Sequence, residues 1–371
     1  MVTSPSAHLA VFLVALSSTF ALGQTPATSG SGSGGFSIRS DELNRDYTIR
    51  INAPEKAGDA LLPSIYVLDG QWEFEMTSAI HGALRQDGFV SDAVLIGVCI
   101  PGSDEERRSV RSQDFAPKTS IGDGKALLFR KFLFDSVVPE VEKRHSCDKS
   151  NRTLVGWSMG GMFAIETMLS TPDSFNNYVA ISPALFWDKG HASVRLRDSD
   201  FQKPGQPVSL WMSIGEFEPP YFQDAFRQFE RNLTNVQLPN LQLRVLSLEK
   251  ERHFSGRSVA YATAFKELLG PKPVELSENE LKKVCGTYRP VQNEWAWWGD
   301  VEIGLSEGRL WASRNFSGFE GRDALIPVSK QSFVGTRYGS RFSIIDESDE
   351  TSIELKWEEF PPIRLELVNP K

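Results

Sequence analysis

Thr153-Leu154-Val155-Gly156-Trp157-Ser158-Met159-Gly160-Gly161-Met162-Phe163-Ala164-Ile165-Glu166-Thr167-Met168 passes from a short apolar, β-branched segment, through one serine fenced by glycines, into a helix-forming segment. This predicts a strand that turns sharply into a helix with a nucleophile at the corner. Glycine at 156 and 160 fits a turn so tight that a Cβ at either position would strike the neighbouring strand or helix. The bend would lift the Ser158 hydroxyl clear of the backbone. It would also aim the N–H groups of the helix start, Met159 among them, at negative charge developing beside that hydroxyl. A G-x-S-x-G pentapeptide occurs in solvated Gly-rich turns as well, so the rest of the chain must supply the partners of such a nucleophile.

The chain has 371 residues, 40% hydrophobic and 24% charged, which suits one large α/β domain and a smaller one. A net charge of −8 argues against nucleic acid or an anionic membrane surface as partner, since both demand clustered Lys and Arg. Residues 1–23 carry the apolar run Leu9-Ala10-Val11-Phe12-Leu13-Val14-Ala15-Leu16, a Ser17-Ser18-Thr19 break and a small-x-small ending at Ala21-Leu22-Gly23. They read as a signal peptide of a secreted or periplasmic protein rather than a membrane span, which would need about 20 apolar residues. Residues 24–35, rich in Ser and Gly, read as a linker.

From Phe36 to about Gly270 strands and helices alternate. Strand patterns fall at Tyr47–Asn52, Ser64–Leu68, Val94–Ile100, Tyr178–Ser182, Val208–Ile214 and Leu241–Leu248. Helical spacing marks Lys125–Lys143, with Pro139 as a kink, and the segments Tyr221–Arg231 and Ser255–Leu269. This predicts an α/β fold, a mostly parallel sheet flanked by helices over residues 36–270. Beyond Pro271-Lys272-Pro273 the pattern changes to short alternating segments between Gly, Ser and Asp turns, so residues 275–371 are expected to form a smaller all-β domain, a barrel or sandwich. Of three cysteines, Cys99 ends a core strand. If any pair is bridged, it is Cys147 with Cys285. No Cys or His spacing resembles a zinc site, and nothing calls for a metal or cofactor.

Chain order narrows the search for a base. In α/β-hydrolase architecture the acid and then the histidine follow the serine. His8 lies in the leader, His81 and His145 precede Ser158, and His191 follows it too closely. His253, in a loop between a strand and a helix, remains. The strand Val208–Ile214 ends at Gly215-Glu216-Phe217-Glu218. Glu218 is the expected partner of the imidazole and Glu216 the alternative. The turn Asp69-Gly70-Gln71-Trp72 should supply a second oxyanion donor, with Gly70 letting the backbone curl so that the Gln71 N–H joins that of Met159.

These stretches, together with Arg111-x-x-Asp114-Phe115-x-Pro117 and Ile181-Ser182-Pro183-Ala184-Leu185-Phe186-Trp187, resemble the putative esterase family of α/β hydrolases over roughly residues 36–270. That family includes siderophore esterases, S-formylglutathione hydrolases, feruloyl esterases and mycolyltransferases. The resemblance implies hydrolysis of a carboxylic ester, in a small-molecule or peptide-linked substrate, through an acyl-enzyme on Ser158. The acid position varies within the family.

Trp72, Phe74, Trp157, Phe186 and Trp187 fall near the expected strand ends and read either as contacts to a bulky or aromatic substrate or as core. Arg107, Arg108 and Arg111 could meet an anionic ester such as a ferric catecholate siderophore, although Asp104, Glu105, Glu106 and Asp114 interleave with them as in a solvated loop. Two other readings stand beside hydrolysis. One is acyl transfer to a hydroxyl acceptor, and the other is carbohydrate binding through Trp295, Trp297 and Trp298 with a vestigial esterase domain. Asn151, Asn232 and Asn315 head N-x-S/T sequons.

Overall fold

The computed structural model describes residues 32–54, 61–119, 122–292, 299–316, 319–336, 340–347, 350–356 and 361–370. The leader at 1–23, the first part of the expected linker, and Trp295, Trp297 and Trp298 lie outside the described residues.

A strand apolar at every position has to be covered on both faces. The segment Val94–Cys99 is such a strand, buried along its whole length, and it sits inside an eight-stranded sheet. The members are β1 (Gly32–Ser40), β2 (Arg45–Ala53), β3 (Leu62–Val67), β4 (Val94–Cys99), β7 (Cys147–Trp157), β8 (Asn177–Ile181), β9 (Val208–Gly215) and β10 (Leu241–Leu248). A separate two-residue pair, β5 (Lys118–Thr119) and β6 (Gly122–Asp123), stands apart. The spatial order is β1-β2-β4-β3-β7-β8-β9-β10. β1, β2 and β4 pair antiparallel, and every pairing from β4 to β10 is parallel.

The helices are α1 (Gly70–Gln86), α2 (Asp104–Phe115), α3 (Ala126–Phe132), α4 (Val138–Arg144), α5 (Met159–Ser170), α6 (Trp187–Arg197), α7 (Pro220–Val236), α8 (Gly256–Leu269) and α9 (Glu278–Lys282). Strand alternation divides the core in two. Ile65, Val67, Leu95, Val155, Val179 and Trp211 face α1 and α8. Tyr66, Leu68, Ile96, Val98, Leu154, Tyr178, Leu210 and Met212 face the side packed by α3 to α7. Each such side chain is worth about 1.5–3 kcal/mol when fully buried. With apolar surface on both faces, the sheet has no other stable arrangement than a helix layer on each.

The C-terminal strands are β11 (Gly286–Pro290), β12 (Val301–Ser306), β13 (Arg309–Phe316), β14 (Phe319–Pro327), β15 (Ser332–Gly335), β16 (Arg341–Glu347), β17 (Glu350–Lys356) and β18 (Ile363–Pro370). Each pairs antiparallel with the next, and β18 returns to β11, so the sheet closes into a barrel without an exposed edge. Tyr288, Ile303, Leu310, Phe333, Phe342, Ile353 and Leu365 form its own core, separate from those of the large sheet.

Four expectations change. The Ser/Gly-rich stretch does not run as linker to residue 35, because β1 begins at Gly32 and pairs residue for residue with β2. Ladder hydrogen bonds need no side chains, so composition hid the strand. The Arg/Asp-rich segment around Arg107 is not a loop but α2, started by a capping box in which Ser103 and Glu106 satisfy each other's backbone N–H groups. The expected helix at 125–143 widens into a π-turn over Leu133–Val137, immediately before Pro139, whose ring cannot continue the normal ladder. Finally, Cys147 and Cys285 are buried thiols in different hydrophobic clusters, so they do not bridge.

Candidate active site

The chain leaves β7 and enters α5 through Ser158, which has φ 57° and ψ −116°. A side chain in that region costs on the order of 1–3 kcal/mol, so the surroundings must hold it there. Three backbone bonds do so. Ser158 N donates to Ile181 O at 2.9 Å, and Ser158 O accepts from Met162 N and from Ala184 N, both at 3.0 Å.

The glycines contribute unequally. A Cβ on Gly156 would fall on the carbonyl of Gly160, and one on Gly161 would lie 3.1 Å from Gly156 O and 3.2 Å from Ile181 O. At Gly160, by contrast, the nearest atom would be Asp69 Oδ2 at 3.4 Å, an ordinary contact, which corrects the expectation that this position is equally tight. Gly156→Ala should therefore yield little soluble folded protein, whereas Gly160→Ala should express and melt within a few degrees of the parent. Thermal unfolding of the two variants checks this.

His253 lies in the turn between β10 and α8. Its Nε2 is 3.2 Å from Ser158 Oγ, and its Nδ1 is 2.9 Å from Glu218 Oε2. The Glu218 side chain is fully buried. The loops that carry this pair are knitted together. Glu216 N donates to Leu248 O at 2.9 Å, Phe217 N to Glu251 O at 2.8 Å, and Gln223 Nε2 to Gly215 O at 2.6 Å. Glu216, the alternative acid, points elsewhere and accepts from Lys250 N at 2.7 Å, which fixes the left-handed turn at Lys250. Two of the other described histidines, His81 and His191, are engaged away from Ser158. His81 is buried against Ser91 O, with its pKa pushed down to about 4 by burial, and His191 meets the buried Glu166 at 2.8 Å.

The left-handed residue that curls the chain after β3 is Asp69, φ 55°, not Gly70. Gly70 is needed for a different reason: a Cβ there would meet the Gly97 backbone at 2.6 Å. Gln71 and Met159 stand in the first turns of α1 and α5, and their backbone N–H groups have no acceptor among the described residues. Gln71 is fastened by its side chain, whose Oε1 accepts from Ile100 N at 2.8 Å.

Arg111 turns inward. Its guanidinium takes both oxygens of the fully buried Asp69 at 2.8 and 2.9 Å and reaches Trp157 O at 3.2 Å. Burial pushes the Asp69 carboxyl above its ordinary range, and Arg111 pulls it back. The same guanidinium thus ties the Asp69 turn to the last residue before Ser158. Asp114 is another inward brace, accepting from Arg45 at 3.0 Å and Tyr47 at 2.6 Å.

Trp157 also turns inward. It is buried under His253, with ring centroids 4.7 Å apart, and its Nε1 donates to His253 O at 3.0 Å. Trp187 packs partly buried on the core, whereas Trp72 is 38% exposed.

Of the aromatic wall beside His253, sequence reasoning singled out Phe186 and missed Tyr221, Phe222 and Phe254. Phe222 lies 4.7 Å from the His253 ring and 4.7 Å from Phe186, which in turn meets Tyr221 at 5.0 Å; Phe254 lies 5.5 Å from His253 on another side. Tyr221 and Phe254 are 55% and 65% exposed, large rings left open to solvent. The signal was present in Glu218-Pro219-Pro220-Tyr221-Phe222, because a proline at the first helical position starts α7 and puts the next two rings in its first turn, where Phe222 meets the His253 ring.

A family model described as "Putative esterase" matches residues 40–265, more than half of the chain. The chain belongs to this esterase family. Among curated relatives, the ferri-bacillibactin esterase BesA of Bacillus subtilis is 28% identical over 286 residues, covering 68% of this esterase and 98% of the relative. The siderophore triacetylfusarinine C esterase of Aspergillus fumigatus is 29% identical over 201 residues, covering 50% and 68% respectively. Solved structures share the fold of this esterase. The BES protein from Bacillus cereus aligns with TM-score 0.55 at 24% identity, over 67% of this chain and 98% of that one. An IroE-like serine hydrolase from Shewanella oneidensis aligns with TM-score 0.57 at 20% identity, over 68% and 85%. This esterase is accordingly a carboxylic ester hydrolase of the α/β-hydrolase fold. No helix among its described residues is long and apolar enough to cross a membrane.

Proposed function

We propose that this esterase opens a carboxylic ester bond of a siderophore through an acyl-enzyme on Ser158. The observation that carries the reading is the relay Ser158–His253–Glu218, with steps of 3.2 and 2.9 Å. As Ser158 Oγ attacks the ester carbonyl, His253 Nε2 takes its proton, and the buried Glu218 carboxylate holds the Nδ1–H and stabilises the imidazolium. The oxyanion forms toward the unpaired N–H groups of Met159 and Gln71, a contribution worth about 10²–10³ in turnover for each donor. The imidazolium then gives its proton to the leaving alcohol. Water repeats the cycle from the same side and releases the acid.

Two observations support the substrate class. The named curated relatives act on siderophores. The exposed rings of Phe186, Tyr221 and Phe254 around His253 suit a bulky ligand with flat or apolar arms.

The purified protein should hydrolyse cyclic siderophore triesters to linear acids, each opened bond taking up one water, as read by mass spectrometry. Cleavage of aryl acetates with every siderophore left intact would overturn the substrate class. Transfer of the acyl group to added alcohols in place of water would overturn hydrolysis in favour of acyl transfer.

A further inference from the structure

Glu73 is a fully buried carboxylate on α1, and neither the nucleophile nor its relay touches it. It accepts from Arg257 Nη1 at 2.6 Å and from Tyr261 OH at 2.9 Å, both on α8. Burying such a pair gains little stability, because its desolvation cost roughly offsets its attraction, so its value lies in fixing geometry. Arg257 does this in two further directions. Its Nε donates to Phe254 O at 3.2 Å, and its guanidinium lies 4.7 Å above the centroid of the Trp157 ring and 5.5 Å from that of Phe254. Trp157, held in this way, packs against the His253 ring at 4.7 Å and donates to His253 O at 3.0 Å.

The path therefore runs from a carboxylate on the helix that begins at the Gln71 turn, through one guanidinium and one indole, to the backbone and ring of the histidine. A displacement of about 1 Å in such a group costs on the order of a hundredfold in rate. We propose that Arg257, anchored by Glu73, is a positioning residue that sets the His253 imidazole over Ser158 by clamping Trp157 and the Phe254 carbonyl. This inference rests on the Ser158–His253 reading above.

The test compares the parent with Arg257→Met and Glu73→Gln on two uncharged acetate esters, one with an aryl and one with an alkyl leaving group. It is combined with the low-field proton resonance of the His253 Nδ1–H, identified by its loss in His253→Ala. A misplaced imidazole fails most where it must protonate the departing alcohol, so leaving-group dependence separates positioning from general weakening.

For Arg257→Met we expect kcat to fall about 10–100-fold on the alkyl ester with KM unchanged, and several-fold less on the aryl ester. The low-field resonance should broaden or vanish. Glu73→Gln should follow in the same direction with a smaller loss, since an amide oxygen still accepts from Arg257. Unchanged rates and an unchanged resonance in both variants would overturn the proposal. So would a loss equal on both esters that tracks a lowered melting temperature, or a change in KM alone. Should Arg257→Met not fold, Glu73→Gln decides by the same readouts. An altered resonance in the variants, with no hydrolysis of either ester by the parent, would leave the positioning role standing and remove the hydrolytic reading.

Discussion

Replacing Ser158 by alanine should lower kcat/KM on a simple aryl ester by at least about a thousandfold, equivalent to about 4 kcal/mol of transition-state stabilisation. The variant should melt where the parent does or slightly higher, because the hydroxyl contributes one 3.2 Å contact to the imidazole while the strained backbone is held by a bond to Ile181 O and bonds from Met162 N and Ala184 N that alanine keeps. Residual turnover is expected, since the N–H groups of Met159 and Gln71 and the aromatic walls survive the change and alone leave appreciable catalysis over water. A fluorophosphonate should label the parent at Ser158 and leave the variant unlabelled. Label on another residue, or turnover within tenfold of the parent, would move the chemistry elsewhere in the molecule.

The elbow, and the meeting of Ser158, His253 and Glu218 on which the proposed relay rests, were legible because each follows from a simple rule of turn geometry or chain order. Gly156 admits the tight turn, the chain order of serine, acid and histidine eliminates four of five histidines, and the loop after Gly215 offers only two carboxylates. The parallel core strands were legible because side chains buried on both faces leave continuous apolar runs such as Val94–Cys99. What stayed hidden depends on partners distant in sequence. Arg111 reads as an exposed cation until Asp69, 42 residues away, is seen to need it. Trp157 stays open between substrate contact and core until His253 is seen to fold over it, and β1 reads as linker until β2 pairs with it. The helix α2 is a separate case. Its capping box is spelled out at Ser103 and Glu106, but the alternating charges that follow resemble a solvated loop, and the helix buries only its last two residues.

Glu218→Gln should reduce kcat/KM by about a hundredfold, less than the roughly ten-thousandfold loss where the corresponding aspartate-to-asparagine change forces the wrong histidine tautomer. The difference follows from the far oxygen of the carboxylate. Glu218 Oε1 is buried and has no hydrogen-bond partner among the described residues, so nothing holds a glutamine amide with its nitrogen toward His253. The amide can turn its oxygen to the Nδ1–H and keep the productive tautomer. What is lost is the negative charge beside the imidazolium, and a hundredfold corresponds to about 2.7 kcal/mol. Glu216→Gln supplies the contrast. Its carboxylate holds the Lys250 N–H at 2.7 Å from an exposed position, and a glutamine oxygen can accept the same bond, so activity should stay within about twofold of the parent. Steady-state kinetics on one aryl ester separates the two. A large loss in Glu216→Gln with none in Glu218→Gln would transfer the role of acid to the exposed carboxylate. Equal retention of activity in both would leave His253 working without an acid, as a dyad with Ser158.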